Sequence, residues 1–260
     1  MSEFKDKGSA NKILDILETF SLESQYKKIS QIANELDLAY PTAHRLVSFL
    51  VQRGYLYRND NDKKVSLGAK IHFLGKMAST SHNLINIAVP IMKQVCNKSL
   101  ETVSLSIRDG DYRICYEHIE SSHGLKHSAP IGVRLPLWAG ATGKCFLAFD
   151  NDISIDRIIK QAIPLTSNTI KEPGDFMEEI SKIRENGFSR SYSEREEGVS
   201  AMAAPIFNKN SKMVAAMTIS GPEFRLEKLM EEKYFSLLRS AAEKISNELG
   251  YSMNSTKSDI

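Results

Sequence analysis

Between Ala10 and Leu67 the apolar residues follow helical spacing three times and then shift to strand spacing, an order that few small folds accommodate. Ala10, Ile13, Leu14 and Leu17 stand at i, i+3, i+4 and i+7, which predicts an amphipathic helix. The polar run Ser21–Lys28 ends it. Ser30 is the expected N-cap of a short helix carrying Ile32, Ala33 and Leu36. Pro41 suits the first turn of a third helix, where its missing N–H costs nothing. That helix turns Ala43, Leu46, Val47 and Leu50 inward, and Gly54 supplies a left-handed stop. Tyr55–Arg58 and Lys64–Leu67 then read as two strands around the turn Asn59-Asp60-Asn61-Asp62. Three short helices followed by a hairpin is the layout of a winged helix-turn-helix.

In such a motif the second helix of the pair enters the major groove, and its first residues reach base edges. Here that helix opens Tyr40-Pro41-Thr42-Ala43-His44-Arg45. Tyr40, Thr42, His44 and Arg45 are therefore the candidates to meet double-stranded DNA. Arg45 can pair bidentately with guanine or hold a phosphate, and Thr42 and His44 can do either. Lys63 and Lys64, at the wing tip, suit backbone contacts. A net charge of +2 says nothing for nucleic acid, but Leu38 to Asn59 contains no Asp or Glu while carrying Arg45, Arg53 and Arg58. That distribution suits a surface that meets phosphate. A protein-interaction module with Arg45 as a solvated charge is the competing reading.

A chain of 260 residues fits two domains more comfortably than one. Nothing in it has the length of apolar sequence a membrane span needs, and the first residues carry no secretory pattern. Cys96, Cys115 and Cys145 are odd in number and far apart, which argues against a disulfide framework. A reducing, cytoplasmic setting without membrane contact is expected. Gly68–Ser81 reads as a connecting helix with Ile71, Leu74 and Ala78 on one face, the expected part of a dimer seam. Leu84–Val95 continues helical spacing, interrupted at Pro90. Thr102–Arg108 and Arg113–Glu120 form an expected hairpin through Asp109-Gly110-Asp111. Helices are expected from the Gly140–Gly143 turn to Phe149, over Ile153–Ala162, and over Phe176–Asn186. The last starts on a capping box of Asp175 and Glu178 and ends at Gly187. Strands Ser200–Phe207 and Val214–Ser220 lead into a closing helix whose inner stripe is Tyr234, Leu238, Ala241, Ile245 and Leu249. The fold class is α+β with an antiparallel sheet. The expected organisation is a winged domain over 1–68, a linker helix over 69–83, a ligand-sensing domain over 84–251 and a flexible tail over 252–260.

Trp138-Ala139-Gly140-Ala141-Thr142-Gly143-Lys144-Cys145 invites a phosphate-loop reading, which fails. That loop needs glycine where Trp138 stands and Ser or Thr where Cys145 stands. A glycine turn running into a helix still exposes backbone N–H groups to a small anion such as a carboxylate. Cys115, His118, His123 and His127 match no compact metal signature, and strand alternation would scatter them, so neither metal nor cofactor is expected. Glu194, Glu196 and Glu197 read as a charged loop before a buried strand. No nucleophile motif is present, and an enzyme of small carboxylates is the alternative reading. A scaffold that senses a metabolite without touching DNA is the third.

Four stretches resemble the IclR family of bacterial transcriptional regulators: Ala10–Leu17 with Ile32–Leu38 and Thr42–Leu46, then Pro136–Ala148, Glu194–Ile206 and Ala216–Pro222. The resemblance covers about Ser9 to Tyr251, and it implies a GAF-like sensing domain, homodimers and often homotetramers, and small carboxylate or aromatic effectors. It places the effector among Gly140, Ala141, Val199, Ala201, Thr218 and Ser220. Trp138 stands where the family commonly has histidine, and Tyr40-Pro41 replaces its usual polar pair.

Overall fold

The computed structural model describes residues 8–21, 24–81, 83–226 and 231–252, and these fall into two units, 1–82 and 83–260. In the first, α1 (Ser9–Glu18), α2 (Ile29–Glu35) and α3 (Tyr40–Gln52) precede β1 (Leu56–Arg58), β2 (Val65–Leu67) and α4 (Ala69–Ser81). Ile16, Ile32, Ala43, Leu46, Val47, Leu50, Leu56 and Val65 make their common core, each contributing about 1–3 kcal/mol by leaving water. α3 starts with Pro41 in its first turn and ends where Gly54 takes φ +79°. The Tyr55 N–H then folds back onto the Leu50 carbonyl at 2.9 Å, which aims the chain into the wing. Lys27 exchanges two backbone hydrogen bonds with Val65, extending the hairpin by a short third edge.

Two helix starts differ from expectation. α2 begins at Ile29, because the Gln31 carboxamide accepts the Lys28 N–H at 2.8 Å and caps the helix there, leaving Ser30 inside the first turn. α8 (Pro173–Asn186) begins at Pro173, whose fixed φ is already helical, so Asp175 lies in the first turn. On α4, Ile71 is half-buried and Leu74 exposed. The Ala78 side chain and the tail from 253 lie outside the described residues.

The second unit runs α5 (Asn83–Ser99), β3 (Thr102–Asp109), β4 (Tyr112–Ile119), β5 (Arg134–Pro136), α6 (Ala141–Phe149), α7 (Ile155–Lys160), α8, β6 (Ser189–Tyr192), β7 (Val199–Phe207), β8 (Met213–Pro222), α9 (Glu223–Leu226) and α10 (Glu231–Glu248). The strands form one antiparallel sheet in the order β5-β4-β3-β8-β7-β6. Alternation sorts its two faces. Val103, Leu105, Met202, Ala204, Met217 and Ile219 join α5 and α10 in one core. Ala203 and Ala216 join Phe146 and Leu147 of α6 and Phe176 and Ile180 of α8 in the other. At one end of the second face the inward residues turn polar: Ser104, Thr218 and Ser220. Among the described residues no helix is long and apolar enough to cross a membrane.

Candidate functional sites

In the first unit, packing decides what α3 shows to solvent. With Ala43, Leu46, Val47 and Leu50 buried, Tyr40 and Arg45 are exposed and Thr42 and His44 half-exposed. The Tyr40 and His44 rings lie 6.0 Å apart on the helix's first turn. Arg45 has no ion-pair partner among the described residues. Lys63 is exposed in the wing turn, and Lys64 beside it keeps its ammonium 3.9 Å from Asp62. Tyr40, Thr42, His44 and Arg45 are thus held on one helix whose rear face is locked in the core. The two lysines sit apart from them on the hairpin.

In the second unit, a cavity of about 40 Å³ opens between the polar end of the sheet and the start of α6. Gly140, Ala141, Val199, Ala201, Thr218 and Ser220 all line it. Strand pairing brings Ser104 opposite Thr218 and Ala201 opposite Ser220, so side chains distant in sequence share one face. Gly140 takes φ +84° and offers no side-chain cap to α6. Its own N–H goes to Glu194 Oε2 at 3.3 Å. The N–H groups of Ala141 and Thr142, which follow, are the donors that a helix start leaves over. Gly143 has no alternative: a Cβ there would stand 2.4 Å from the Leu137 carbonyl.

Behind the turn lies a buried ion cluster. The Lys144 ammonium sits 2.5 Å from Glu194 Oε1 and 2.8 Å from Glu179 Oε1. Burial raises the Glu194 carboxyl above its ordinary value while Lys144 opposes the shift. Glu194 is therefore part of the interior, although the sequence reads as a solvated charged loop.

The cavity wall is positive. Arg113, on β4, is buried; its Nε has no hydrogen-bond partner, and it makes no ion pair among the described residues. Burial, reinforced by the charge of Arg195, pulls its guanidinium down to about 9, so it stays charged at neutral pH. Arg195 extends past the Gly140 turn to His127 Nε2 at 3.0 Å. Burial and these two arginines push the His127 imidazole down to about 4, so it is neutral. Among the described residues no group of three His, Cys, Asp or Glu side chains could hold a metal ion. Cys115 and His127 line the cavity without His118 or His123.

The comparisons with known proteins follow this two-unit arrangement. A model for the IclR helix-turn-helix domain matches residues 9–60, and one described as bacterial transcriptional regulator IclR C-terminal matches 76–247. The chain belongs to the IclR family. It is similar to the transcriptional regulator KipR of Bacillus subtilis, 33% identical over 225 residues, which cover 86% of this chain and 90% of KipR. It is also similar to the DNA-binding transcriptional repressor YiaJ of Escherichia coli, 31% identical over 246 residues, or 93% of this chain and 86% of YiaJ. Among solved structures, the Thermotoga maritima IclR shares 28% identity with a TM-score of 0.74, covering 93% of this chain and 98% of that one. An IclR homologue from Microbacterium hydrocarbonoxydans, complexed with 4-hydroxybenzoate, has the same fold with a TM-score of 0.84 at 24% identity, over 94% of this chain and 99% of that one. With both family domains in place, this protein is a DNA-binding transcriptional regulator.

For an IclR regulator, the sequence alone missed Arg113 and Arg195, and it weighed His127 only as a rejected metal ligand. Arg113 had a signal: it shares a strand face with Cys115, a residue that prefers the interior. Lys64 invites a test of the wing. Lys64→Ala should weaken binding to every duplex alike and lower the salt slope by about one, without altering sequence preference. A salt titration on specific and random duplexes reads this directly. Loss confined to one sequence would move Lys64 from backbone to base contact.

Proposed function

We propose that a small anionic molecule bound in the α6 cavity controls how this regulator engages double-stranded operator DNA. The buried, unpaired guanidinium of Arg113 beside an uncapped helix start is the observation that carries this reading, since a buried charge without a partner costs several kcal/mol. An anion supplies that partner. The Microbacterium homologue's ligand, 4-hydroxybenzoate, is also a carboxylate. Operator contact falls to Tyr40, Thr42, His44, Arg45, Lys63 and Lys64, and effector contact to Gly140, Ala141, Val199, Ala201, Thr218 and Ser220, with Arg113 and Arg195 added. The protein acts as a homodimer, or a tetramer built from two, in the cytoplasm where its operator is. Residues 1–68 read DNA, 69–83 link, and 84–251 sense. The effector binds one arrangement of the dimer better than the other, and that difference is what changes operator affinity.

The test starts from a thermal-shift panel of small acids, because a ligand at 100 times its Kd stabilises by about 2.7 kcal/mol. Calorimetry then compares variants. Ala141→Leu should abolish binding of the acid found, because Ala141 is fully buried against the cavity. Thr218→Val keeps the shape and removes a hydroxyl, so it should weaken binding by about 1–3 kcal/mol. If both variants bind as tightly as the parent protein, the effector sits elsewhere.

A further inference from the structure

We propose that the effector is a compact dianion, seated on Arg113 and Arg195 with the start of α6, and that Arg113 selects for its second charge. This rests on the reading of the cavity as the effector site and goes on to name the ligand's chemistry.

The hydrogen-bonding directions of the wall carry it. An arginine can only donate, so His127 Nε2 accepts from Arg195 at 3.0 Å and the ring proton is on Nδ1. Nδ1 lies 2.8 Å from Ser220 Oγ, which must therefore accept, and the Ser220 hydroxyl proton is left to point elsewhere. The Thr142 and Thr218 hydroxyls lie 2.8 Å apart; one donates to the other, and one proton is again left over. Arg113 adds a full charge at the wall, and its unpartnered Nε–H is enclosed behind it. The first N–H groups of α6 add more donors and about half a positive charge. The polar groups of the wall are thus nearly all donors, set beside an apolar part formed by Leu135, Ala141, Val199 and Ala201. The carboxylate on it, Glu196, is 55% exposed at the rim and already contacts Arg195 at 3.3 Å. Solvent screening there lets it offset only part of one of the two guanidinium charges.

The polar groups of a ligand for such a wall must be mainly acceptors. A monocarboxylate brings one charge and two oxygens, which leaves both guanidinium charge and hydroxyl protons unmatched. A short dicarboxylate or a phosphoryl group brings two charges and more oxygens. Space for about three waters suits a compact charged group.

Calorimetry on the full-length protein at pH 7.5 can decide, using propionate, malonate, neutral malonamide and inorganic phosphate. Malonate, phosphate or both should bind about 10- to 150-fold tighter than propionate, the difference one charged hydrogen-bonded group makes. Which of the two is tighter separates a dicarboxylate from a phosphoryl source. Arg113→Gln should cut that preference below about threefold while propionate affinity changes little. The emission of Trp138 during melting confirms that the variant is folded, and Arg195→Gln, predicted to lose part of the same preference, serves if it is not. Propionate binding as tightly as both dianions overturns the proposal, as does a preference that survives Arg113→Gln, while the anionic-effector reading stands. Malonamide binding as well as malonate, or no binding by any of the acids, overturns both.

Discussion

Replacing Lys144 by methionine should lower the unfolding temperature of residues 83–260 by roughly 6–20 °C. Methionine keeps the apolar stem and removes only the charge. Lys144 is 1% exposed and bridges Glu194 and Glu179, and Glu194 is itself buried. Removing one member of such a cluster leaves a carboxylate in the interior with no opposite charge, at a cost of about 3–5 kcal/mol. For a unit of this size each kcal/mol is worth about 2–4 °C. The deficit should also depend on pH. Burial already raises the Glu194 carboxyl despite Lys144, and without Lys144 it rises further. A carboxyl whose native pKa exceeds its unfolded one holds more protons in the native state, so stability falls as pH climbs from the ordinary carboxylate value through the native one. The variant should therefore lie closer to the parent protein at pH 5 than at pH 8. Trp138 is the chain's one tryptophan, so its emission follows this unit alone. A shift below about 2 °C at pH 8 would mean that the cluster contributes little.

Arg45→Ala should reduce operator affinity by about 30-fold or more and relax the sequence preference at one position in each half-site. A bidentate arginine–guanine contact discriminates by about 1–3 kcal/mol, and a two-fold dimer makes the contact twice. The residue is exposed on α3, while its neighbours Leu46 and Val47 are buried, so its loss should not disturb the fold. Stability unchanged within about 0.5 kcal/mol is the control. Selection of bound duplexes from a random pool gives the preference, and footprinting gives the symmetry. Wild-type footprints for Arg45→Ala combined with Thr42→Ala would show that another surface reads the bases.

The sequence's legibility followed the range of the interactions. α3 could be read because everything that defines it is local: Pro41 at its start, Gly54 at its end and four apolar residues at helical spacing between them. The β3–β4 hairpin was equally plain from Asp109-Gly110-Asp111. β6 was missed because its alternation is inverted in chemistry. Ser189 and Ser191 point inward, with Ser189 Oγ donating to the Ala141 carbonyl at 2.6 Å, so no apolar period marks the strand. β5 has three residues and offers no period at all. The six proposed effector positions came from family likeness, and all six line one cavity at the end of the sheet. Arg113 and Glu194 escaped because a charged residue is ordinarily a surface residue. What pairs with Glu194 in the interior is Lys144, 50 residues away, which no local pattern shows.

The central claim is that the cavity and the DNA-reading helix are energetically coupled. Fluorescence anisotropy of a labelled operator, selected from a random pool, tests it with the acid that stabilises the parent protein most. At saturating acid the parent's operator affinity should change by about 5- to 150-fold, and that of Ala141→Leu by less than about twofold, with equal affinities when the acid is absent. An unchanged parent affinity, or an equal change in Ala141→Leu, would contradict the account.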